Sequence, residues 1–402
     1  MTAPLSPFPV LRLKPKADAR SIRHGHPWAW GDDLVLDRRA RAIPAGALAV
    51  LEDAERQPLG LGVATVEGKI GLRLLDRDPA AVIDKAWLAA RIQAAAALRA
   101  KLYDAPFYRL IHAEGDGLPG LIVDRFGDTL VMQPNAIWLE EREAAIVAAL
   151  REATGCTNLV KNGTSRARLA EGLPEVTEVL LGHAPAAPIP VPMNGAIYLA
   201  DVMAGQKTGL FFDQRDNHAF AARLSRDARV LDVFSHVGGF GLASLAAGAT
   251  HALAIDASAP ALSLAEAGAA AGGMADRFAT RQGDAFATLE ALAEEGARFD
   301  LIICDPPAFA PSKQALEAGL RAYERIAKLA APLVAEGGVL MLCSCSHAAE
   351  LPKFRAACLR GIGRAGREPR LIYTGFAGPD HPQHPALTET GYLKAVAFRL
   401  MP

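Results

Sequence analysis

From Val191 onward the chain alternates short apolar runs with longer stretches of helical periodicity. The apolar runs are Val230–Phe234, His251–Asp256, Ala279–Gln282, Leu301–Cys304 and Gly338–Cys343. Such runs, separated by helices, are the pattern of a parallel sheet covered on both faces. An α/β unit with an open, doubly covered sheet is therefore expected here. A last run, Tyr392–Leu400, follows a polar loop and is expected to cap the sheet edge.

The N-terminal part has a different texture. Val10–Lys14, Ala47–Leu51, Leu59–Thr65 and Gly71–Leu74 are short apolar-rich runs bounded by Gly, Pro and charges, as in a small β-barrel. A helical stretch, Ala80–Leu102, leads into Tyr108–Ala113, Gly120–Arg125 and Thr129–Gln133, three strands separated by EGDGLPG and FGD turns. A helix over Leu139–Thr154 and strands at Asn158–Asn162 and Thr177–Leu181 complete this middle part. The Pro-rich segment Gly182–Pro192 reads as a domain boundary. Three domains are expected, at 1–78, 79–190 and 191–402, in keeping with a length beyond what one core serves.

Composition narrows the class. Hydrophobic residues make up 51% of the chain and charged residues 22%, ordinary for a globular protein. No apolar run reaches the roughly 18 to 20 residues of a membrane helix, so no membrane partner is expected. The N-terminus shows no basic stretch followed by an apolar one, which argues against a secretory signal. The five cysteines form no CxxC pair and suit a reducing, cytoplasmic setting, and no metal site is expected. The net charge is −1, yet Lys and Arg outnumber Asp and Glu by four over residues 1–41 and by five over residues 353–370. Two cationic stretches on a near-neutral chain are compatible with ordinary solvated faces and with a phosphate-reading surface.

The motifs carry more. In LDVFSHVGGFG a buried strand bears Asp232, and a turn with Gly238 and Gly239 opens a helix. Glycines admit close approach of a ligand, and the helix N-terminus offers free N–H groups. Asp256 ends the next strand, where an acidic residue takes ribose hydroxyls of an adenosine ligand, and Asp284 follows the third, within reach of an adenine amine. Asp305 ends the fourth strand in Asp-Pro-Pro. Four carboxylates on successive strand ends fit a nucleoside cofactor at the carboxyl edge of the sheet.

Taken together, GDGLPGLIVDRFGD, GQKTGLFFDQRDNH, LDVFSHVGGFG, ICDPPAF and CSCSH resemble the family of 23S ribosomal RNA large subunit methyltransferase I, from about Leu11 to Met401. The resemblance implies a PUA domain, a central α+β domain and a C-terminal Rossmann-like class I methyltransferase domain. It implies S-adenosyl-L-methionine as cofactor, 23S rRNA as partner, and 5-methylcytosine as product. It also implies that Lys207, Phe211, Gln214 and Arg215 line the cofactor pocket. In the PUA-like part, the HGHPWAWGD loop is implied to dock RNA. Arg20, Arg23 and His26 are expected at phosphates and Trp30 on a base, while Trp28 is expected in the barrel core. A homodimer is left open.

C5 of cytosine is a poor nucleophile, so its methylation calls for a thiolate that adds to C6 and a proton supplied near N3. The expected pair is Cys345 as nucleophile and Asp305 as acid. Cys345 is matched to the family's nucleophile position just before the second Ser of CSCS, while Cys343 and Cys304 are expected as core thiols. Two departures from the family pattern stand out: Ala308 where a basic residue usually follows Asp-Pro-Pro, and His347 where Gly often follows the second Ser. His347 is read mainly as a loop residue, with removal of the C5 proton as its functional alternative. Rival readings are methylation of a base nitrogen such as one in guanine, a non-catalytic RNA-binding or assembly factor, and a dehydrogenase.

Overall fold

The computed structural model describes residues 7–203, 205 and 209–401. The chain divides into two compact units, one running to Pro185 and including Asp380–Thr390, the other made of Ala186–Pro379 and Gly391–Pro402.

The first unit opens with β1 (Val10–Arg12), α1 (Ala19–Arg23), β2 (Trp28–Trp30), α2 (Arg38–Arg41), β3 (Leu48–Glu52), β4 (Pro58–Ala64) and β5 (Ile70–Asp76). The described strands order as β1-β3-β4-β5-β2 around a core that includes Leu11, Leu13, Leu34, Leu51 and Leu72. Strand β2 escaped the sequence reading because its apolar content is two tryptophans around one alanine. Ala29 is its inward residue, and the alternation of a strand puts Trp28 and Trp30 together on the opposite face, where both are half-buried. Trp28 is thus outside the barrel core where it was expected, and its indole N–H donates to Glu114 Oε1 at 2.9 Å.

Next come α3 (Lys85–Leu102), β6 (Phe107–His112), β7 (Leu121–Phe126), β8 (Thr129–Pro134), α4 (Glu143–Thr154), β9 (Asn158–Asn162), α5 (Arg166–Ala170) and β10 (Thr177–Leu181). Helix α3 begins five residues later than expected because Asp84 caps it, accepting the Trp87 N–H. The second sheet orders as β10-β9-β8-β7-β6 among the described strands. Its core gathers Leu88, Ile92, Trp138, Ile146 and Leu150. A buried polar knot lies in this unit. Arg99 is fully buried and grips Asp116 with two bonds of 2.6 and 2.8 Å, while also donating to the carbonyls of Arg109 and Asp380. Asp380 in turn accepts the Arg109 N–H at 3.0 Å, and the rings of His112 and His381 meet at 4.9 Å. Burial and the cations nearby push the His112 pKa well below its ordinary value.

The second unit starts with a hairpin, β11 (Ile189–Met193) and β12 (Ala196–Ala200). The Pro-rich segment read as a domain boundary holds the division between the two units and also contributes most of β11. Pro190 and Pro192 are exposed on β11 while Val191 and Met193 are buried, the arrangement by which an edge strand tolerates proline. The elements that follow are α6 (Arg215–Arg223), β13 (Arg229–Val233), α7 (Gly239–Ala246), β14 (His251–Asp256), α8 (Ala259–Ala271), β15 (Phe278–Gln282) and α9 (Ala285–Glu294). The unit ends with β16 (Phe299–Cys304), α10 (Leu316–Ala330), β17 (Val334–Ser344), α11 (Leu351–Arg364), β18 (Pro369–Phe376) and β19 (Lys394–Leu400).

The large sheet runs β15-β14-β13-β16-β17-β19-β18 among the described strands. Strands β13 to β17 are parallel, whereas β19 is antiparallel to both of its neighbours. The final strand is thus not at the edge as expected. It inserts between β17 and β18, and β18 is the edge. Apolar periodicity missed β18 because Leu371, Ile372 and Phe376 are exposed on it. The fully apolar runs of β16 and β17 suit their central place, with Ile302 opposite Leu340 and both wholly buried.

Helices α10 and α11 pack on one face of this sheet through Gly361. A Cβ built there would lie 2.2 Å from the Glu324 carbonyl oxygen and 2.8 Å from Ala327 Cβ. Neither atom is the end of a flexible side chain, so the helices would have to part. Gly361→Ala should therefore lower unfolding stability by about 1–3 kcal/mol, read as a shifted midpoint in urea titration. The control Gly363→Ala, where the Cβ meets nothing within 4 Å, should leave the midpoint nearly unchanged.

Candidate active site

The carboxyl ends of the parallel strands β13 to β17 reach one edge of the sheet, and the expected Asp232, Asp256, Asp284, Asp305 and Cys345 are distributed along it. The loop after β13 turns sharply. Phe234, His236 and Gly238 have φ of 63°, 49° and 79°, so every second residue is left-handed, a geometry that turns successive N–H groups to one side. For Phe234 and His236 this backbone is costly, and loops that bind ligands are where such cost is commonly found. A Cβ at Gly238 would also crowd Ala265 and Leu242, each at 3.2 Å. At Gly239 a Cβ would come within 2.7 Å of His218 Nε2.

Two aspartates brace this loop from beneath. Asp232 is fully buried and accepts the Gly241 N–H at 2.8 Å, fixing the first turn of α7. Burial raises its pKa to about 7, an effect that the Gly241 amide offsets and Asp256 reinforces. Its second oxygen, Oδ1, is buried without a hydrogen-bond partner, as is Ser235 Oγ. Asp256 accepts the N–H of His236 at 2.9 Å and of Ser258 at 2.8 Å. Half-buried, it joins the loop after β13 to the loop after β14. Asp284 is exposed and caps α9 through the Ala287 N–H at 3.0 Å.

A cofactor with a nucleoside and a charged tail fits these features. The glycine turn, the free start of α7 and buried polar atoms lacking partners all favour a polar ligand there. Phe211 borders the loop, its ring 5.0 Å from that of His236. Gln214 is buried, with Oε1 accepting from Asn217 Nδ2 at 2.6 Å, and the buried Arg215 follows it at the start of α6. Lys207 lies outside the described residues. His218 was not singled out from the sequence. It is buried between Tyr198 and Phe240, with ring separations of 6.3 and 4.4 Å, and burial pushes its pKa down to about 3. Its place under the glycine turn is a tertiary fact with no local sequence signal.

The acceptor side is built from β16 and β17, whose parallel register pairs Cys304 with Leu342. Asp305 follows β16 and donates its backbone N–H to the Val233 carbonyl at 3.1 Å, so the Asp-Pro-Pro turn stays locked to β13. Cys345 follows β17, half-buried, with Sγ 4.0 Å from the Pro306 carbonyl oxygen. The two segments therefore do converge. The other four cysteines are buried. Burial pushes the thiols of Cys304, Cys343 and Cys358 well above their ordinary value, Asp305 adding to the effect at Cys343, and raises that of Cys156.

Sequence reasoning also missed what holds Cys345. The Tyr323 hydroxyl, on α10, is 2.8 Å from both Ser344 Oγ and Ser346 Oγ, and Ser346 Oγ accepts the Ala310 N–H at 2.9 Å. Both neighbours of the cysteine are thus pinned. Ala308 is exposed on the Asp-Pro-Pro turn, and His347 is exposed one residue past Ser346.

In the first unit, Arg20 and Arg23 are exposed near the barrel surface, and Arg23 pairs with the buried Asp53. His26 and Trp30 are half-buried, 6.2 Å apart between ring centroids, and Trp28 packs edge-on to Trp30 at 5.5 Å. Lys69 Nζ lies 5.8 Å from the Trp30 ring centre. Among the described residues no cluster of three or more His, Cys, Asp or Glu is arranged to hold a metal, and no helix is long and apolar enough to cross a membrane.

Comparison with known proteins places this geometry. Residues 172–399 match the family described as S-adenosylmethionine-dependent methyltransferase, and residues 11–77 match the PUA-like domain. The chain is 35% identical, over the full length of both, to a ribosomal RNA large subunit methyltransferase of Deinococcus radiodurans. It is 34% identical to ribosomal RNA large subunit methyltransferase I of Shewanella denitrificans, over 97% of this chain and 99% of that one. In structure it resembles a protein described as a SAM-dependent methyltransferase from Streptococcus mutans, with TM-score 0.82 over 98% of this chain and all of that one, at 18% identity. A second such structure, a methyltransferase complexed with SAH, has TM-score 0.83 at 18% identity with the same coverage.

The buried carboxyl of Asp232 sets a pH signature. Its folded pKa, about 7, lies above the value of 3.8 expected for an exposed aspartate. The native state then holds a proton that the unfolded chain has released, so this group's contribution to stability falls as pH rises from about 4 to 7. Asp232→Asn removes that loss. The variant's stability relative to the parent, measured by urea unfolding, should climb across this window, by an amount on the order of 4 kcal/mol at most, and stay level above it.

Proposed function

Because the chain belongs to the family of ribosomal RNA large subunit methyltransferase I, we propose that it forms 5-methylcytosine in 23S ribosomal RNA with Cys345 as nucleophile. The coarser activity, S-adenosylmethionine-dependent methylation of large-subunit ribosomal RNA, follows from the family itself. The choice of a pyrimidine carbon rests on one observation. Cys345 is the half-buried cysteine at the site edge, against the Asp-Pro-Pro turn, while the other four are buried.

In this reading the Cys345 thiolate forms a bond to C6 of the cytosine. The electron pair of the C5–C6 double bond shifts to C4–C5, that of the C4–N3 double bond moves onto N3, and Asp305 supplies a proton there that keeps the adduct neutral. S-adenosylmethionine held in its pocket would supply an electrophilic sulfonium methyl group; C5 of the adduct takes the methyl, and the S–CH3 bonding pair stays on the sulfur of the departing S-adenosylhomocysteine. A base then removes the C5 proton, the C5–C6 double bond re-forms, Cys345 leaves as thiolate, and N3 returns its proton to Asp305. Asp232, Asp256, Gly238 and Gly239 shape the loop that holds the cofactor, and Asp284, Lys207, Phe211, Gln214 and Arg215 line its pocket. Residues 1–78 serve as the RNA-docking domain, with Arg20, Arg23 and His26 at phosphates and Trp30 as a stacking surface. Residues 79–190 form the central domain and 191–402 the methyltransferase domain, apart from Asp380–Thr390, which pack with the first unit.

Cys345→Ala should abolish methyl transfer to 23S rRNA while leaving S-adenosylmethionine affinity, measured by calorimetry, within about twofold of the parent. The parent enzyme should form a covalent complex with RNA carrying 5-fluorocytosine, and the variant should not. Full activity in the variant, or methylated guanine as the product, would overturn the assignment.

A further inference from the structure

Lys394 is a buried basic residue in a strand whose other residues, the exposed Arg399 apart, belong to the core. Strand β19 reads KAVAFRL, and Lys394, Ala395, Val396, Ala397, Phe398 and Leu400 are all buried. Lys394 stands opposite Ser344 in the β17–β19 pairing, one residue before Cys345. Its Nζ donates to the Ser346 carbonyl oxygen at 2.7 Å, one residue after Cys345. It is 4% exposed, and among the described residues no carboxylate forms an ion pair with it. A buried ammonium is costly unless a counter-charge or several acceptors compensate it. One backbone carbonyl is weak compensation. The carbonyl alone therefore does not account for a lysine at this position.

We infer that Lys394 is a positioning residue for Cys345, holding the turn that carries the thiol and acting as counter-charge to its thiolate. The inference rests on the assignment of Cys345 as nucleophile. The charged and titratable groups around the pair are few. Cys345 and the exposed Glu350 are those that act on Lys394. Tyr323 faces the cysteine from α10, and burial pushes its pKa up to about 12, so it stays a neutral hydroxyl on the two serines. Asp305 approaches from the end of β16, beside the Pro306 carbonyl that Cys345 Sγ contacts.

Burial lowers the Lys394 pKa to about 8, while Cys345 and Glu350 act to raise it. At neutral pH the ammonium is then still charged. The cation favours loss of the Cys345 proton, and the thiolate in turn keeps the cation protonated, so the two titrate as a pair. The Ser346 carbonyl and the Tyr323 hydroxyl fix the geometry, and Lys394 adds the charge.

The test is the pH dependence of Cys345 alkylation by iodoacetamide in the full-length protein, with the modified residue located by tandem mass spectrometry. The other four cysteines are buried and should react slowly. In the parent, Cys345 should titrate at least one unit below the ordinary cysteine value of about 8.5. In Lys394→Met the profile should move up by about one unit or more, so that alkylation near pH 6, below both titrations, slows about tenfold. Lys394→Arg, which keeps the charge, should restore part of the shift. Cofactor affinity and the melting midpoint report whether each variant is folded. A folded Lys394→Met with an unchanged profile, or a parent whose Cys345 titrates like an ordinary thiol, would overturn the inference; the parent measurement decides it even where a variant fails to fold. Alkylation needs no RNA, so its outcome is separate from the methyl-transfer assay of Cys345→Ala, whose failure would remove the nucleophile assignment instead.

Discussion

The site depends on one register. Asp232 and Val233 of β13 lie level with Ala254 and Ile255 of β14 on one side, and with Ile303 and Cys304 of β16 on the other. On the far side of β16, Cys304 lies level with Leu342. Because side chains alternate along a strand, a slip of one residue in any of these pairings would turn the strand-end groups to the opposite face. The register is enforced by a continuous apolar layer, including Leu231, Val233, Ile255, Ile302, Leu340 and Leu342, which buries well only in this alignment. Packing of the core thus fixes the relative placement of groups that take no part in it.

On this frame the polar groups divide their work. Asp232 and Asp256 spend hydrogen-bond capacity on backbone amides of the first turn of α7 and of the loop after β13, so they shape a binding surface before any ligand arrives. Tyr323 does the same on the acceptor side through two serines. Preformed geometry of this kind reduces the ordering that binding must otherwise impose. It also explains why carboxylates on neighbouring strand ends differ in environment: Asp232 is wholly buried, Asp256 half-buried and Asp284 exposed.

Much of the fold was legible from periodicity. The barrel, the middle sheet and the α/β unit occur where apolar runs predicted them, and strands such as Asn158–Asn162, Thr177–Leu181 and His251–Asp256 coincide with the reading to the residue. What escaped was of one physical kind. Strand β2 buries a single alanine, β11 carries two prolines, and β18 exposes its large apolar residues, so none shows the burial signal on which such reading relies. The expected site residues were found through glycines and strand-end aspartates, which carry local signatures. His218, Tyr323 and Lys394 carry none, because their roles arise from distant parts of the chain meeting: Tyr323 lies more than twenty positions before the serines it holds, and Lys394 nearly fifty after Ser346.

The segment Asp380–Thr390 belongs to the first unit, although β18 before it and β19 after it are hydrogen-bonded partners in the second. Arg99 and Arg109 both bind Asp380, more than 270 positions away along the chain. During synthesis, therefore, the N-terminal unit cannot close its buried polar knot when its own sheet emerges from the ribosome. It must wait with Arg99 lacking one of its acceptors until almost the whole chain has been made. Completion of the two units is thereby tied to the same late event, and a fragment ending at Pro185 would leave that knot permanently open.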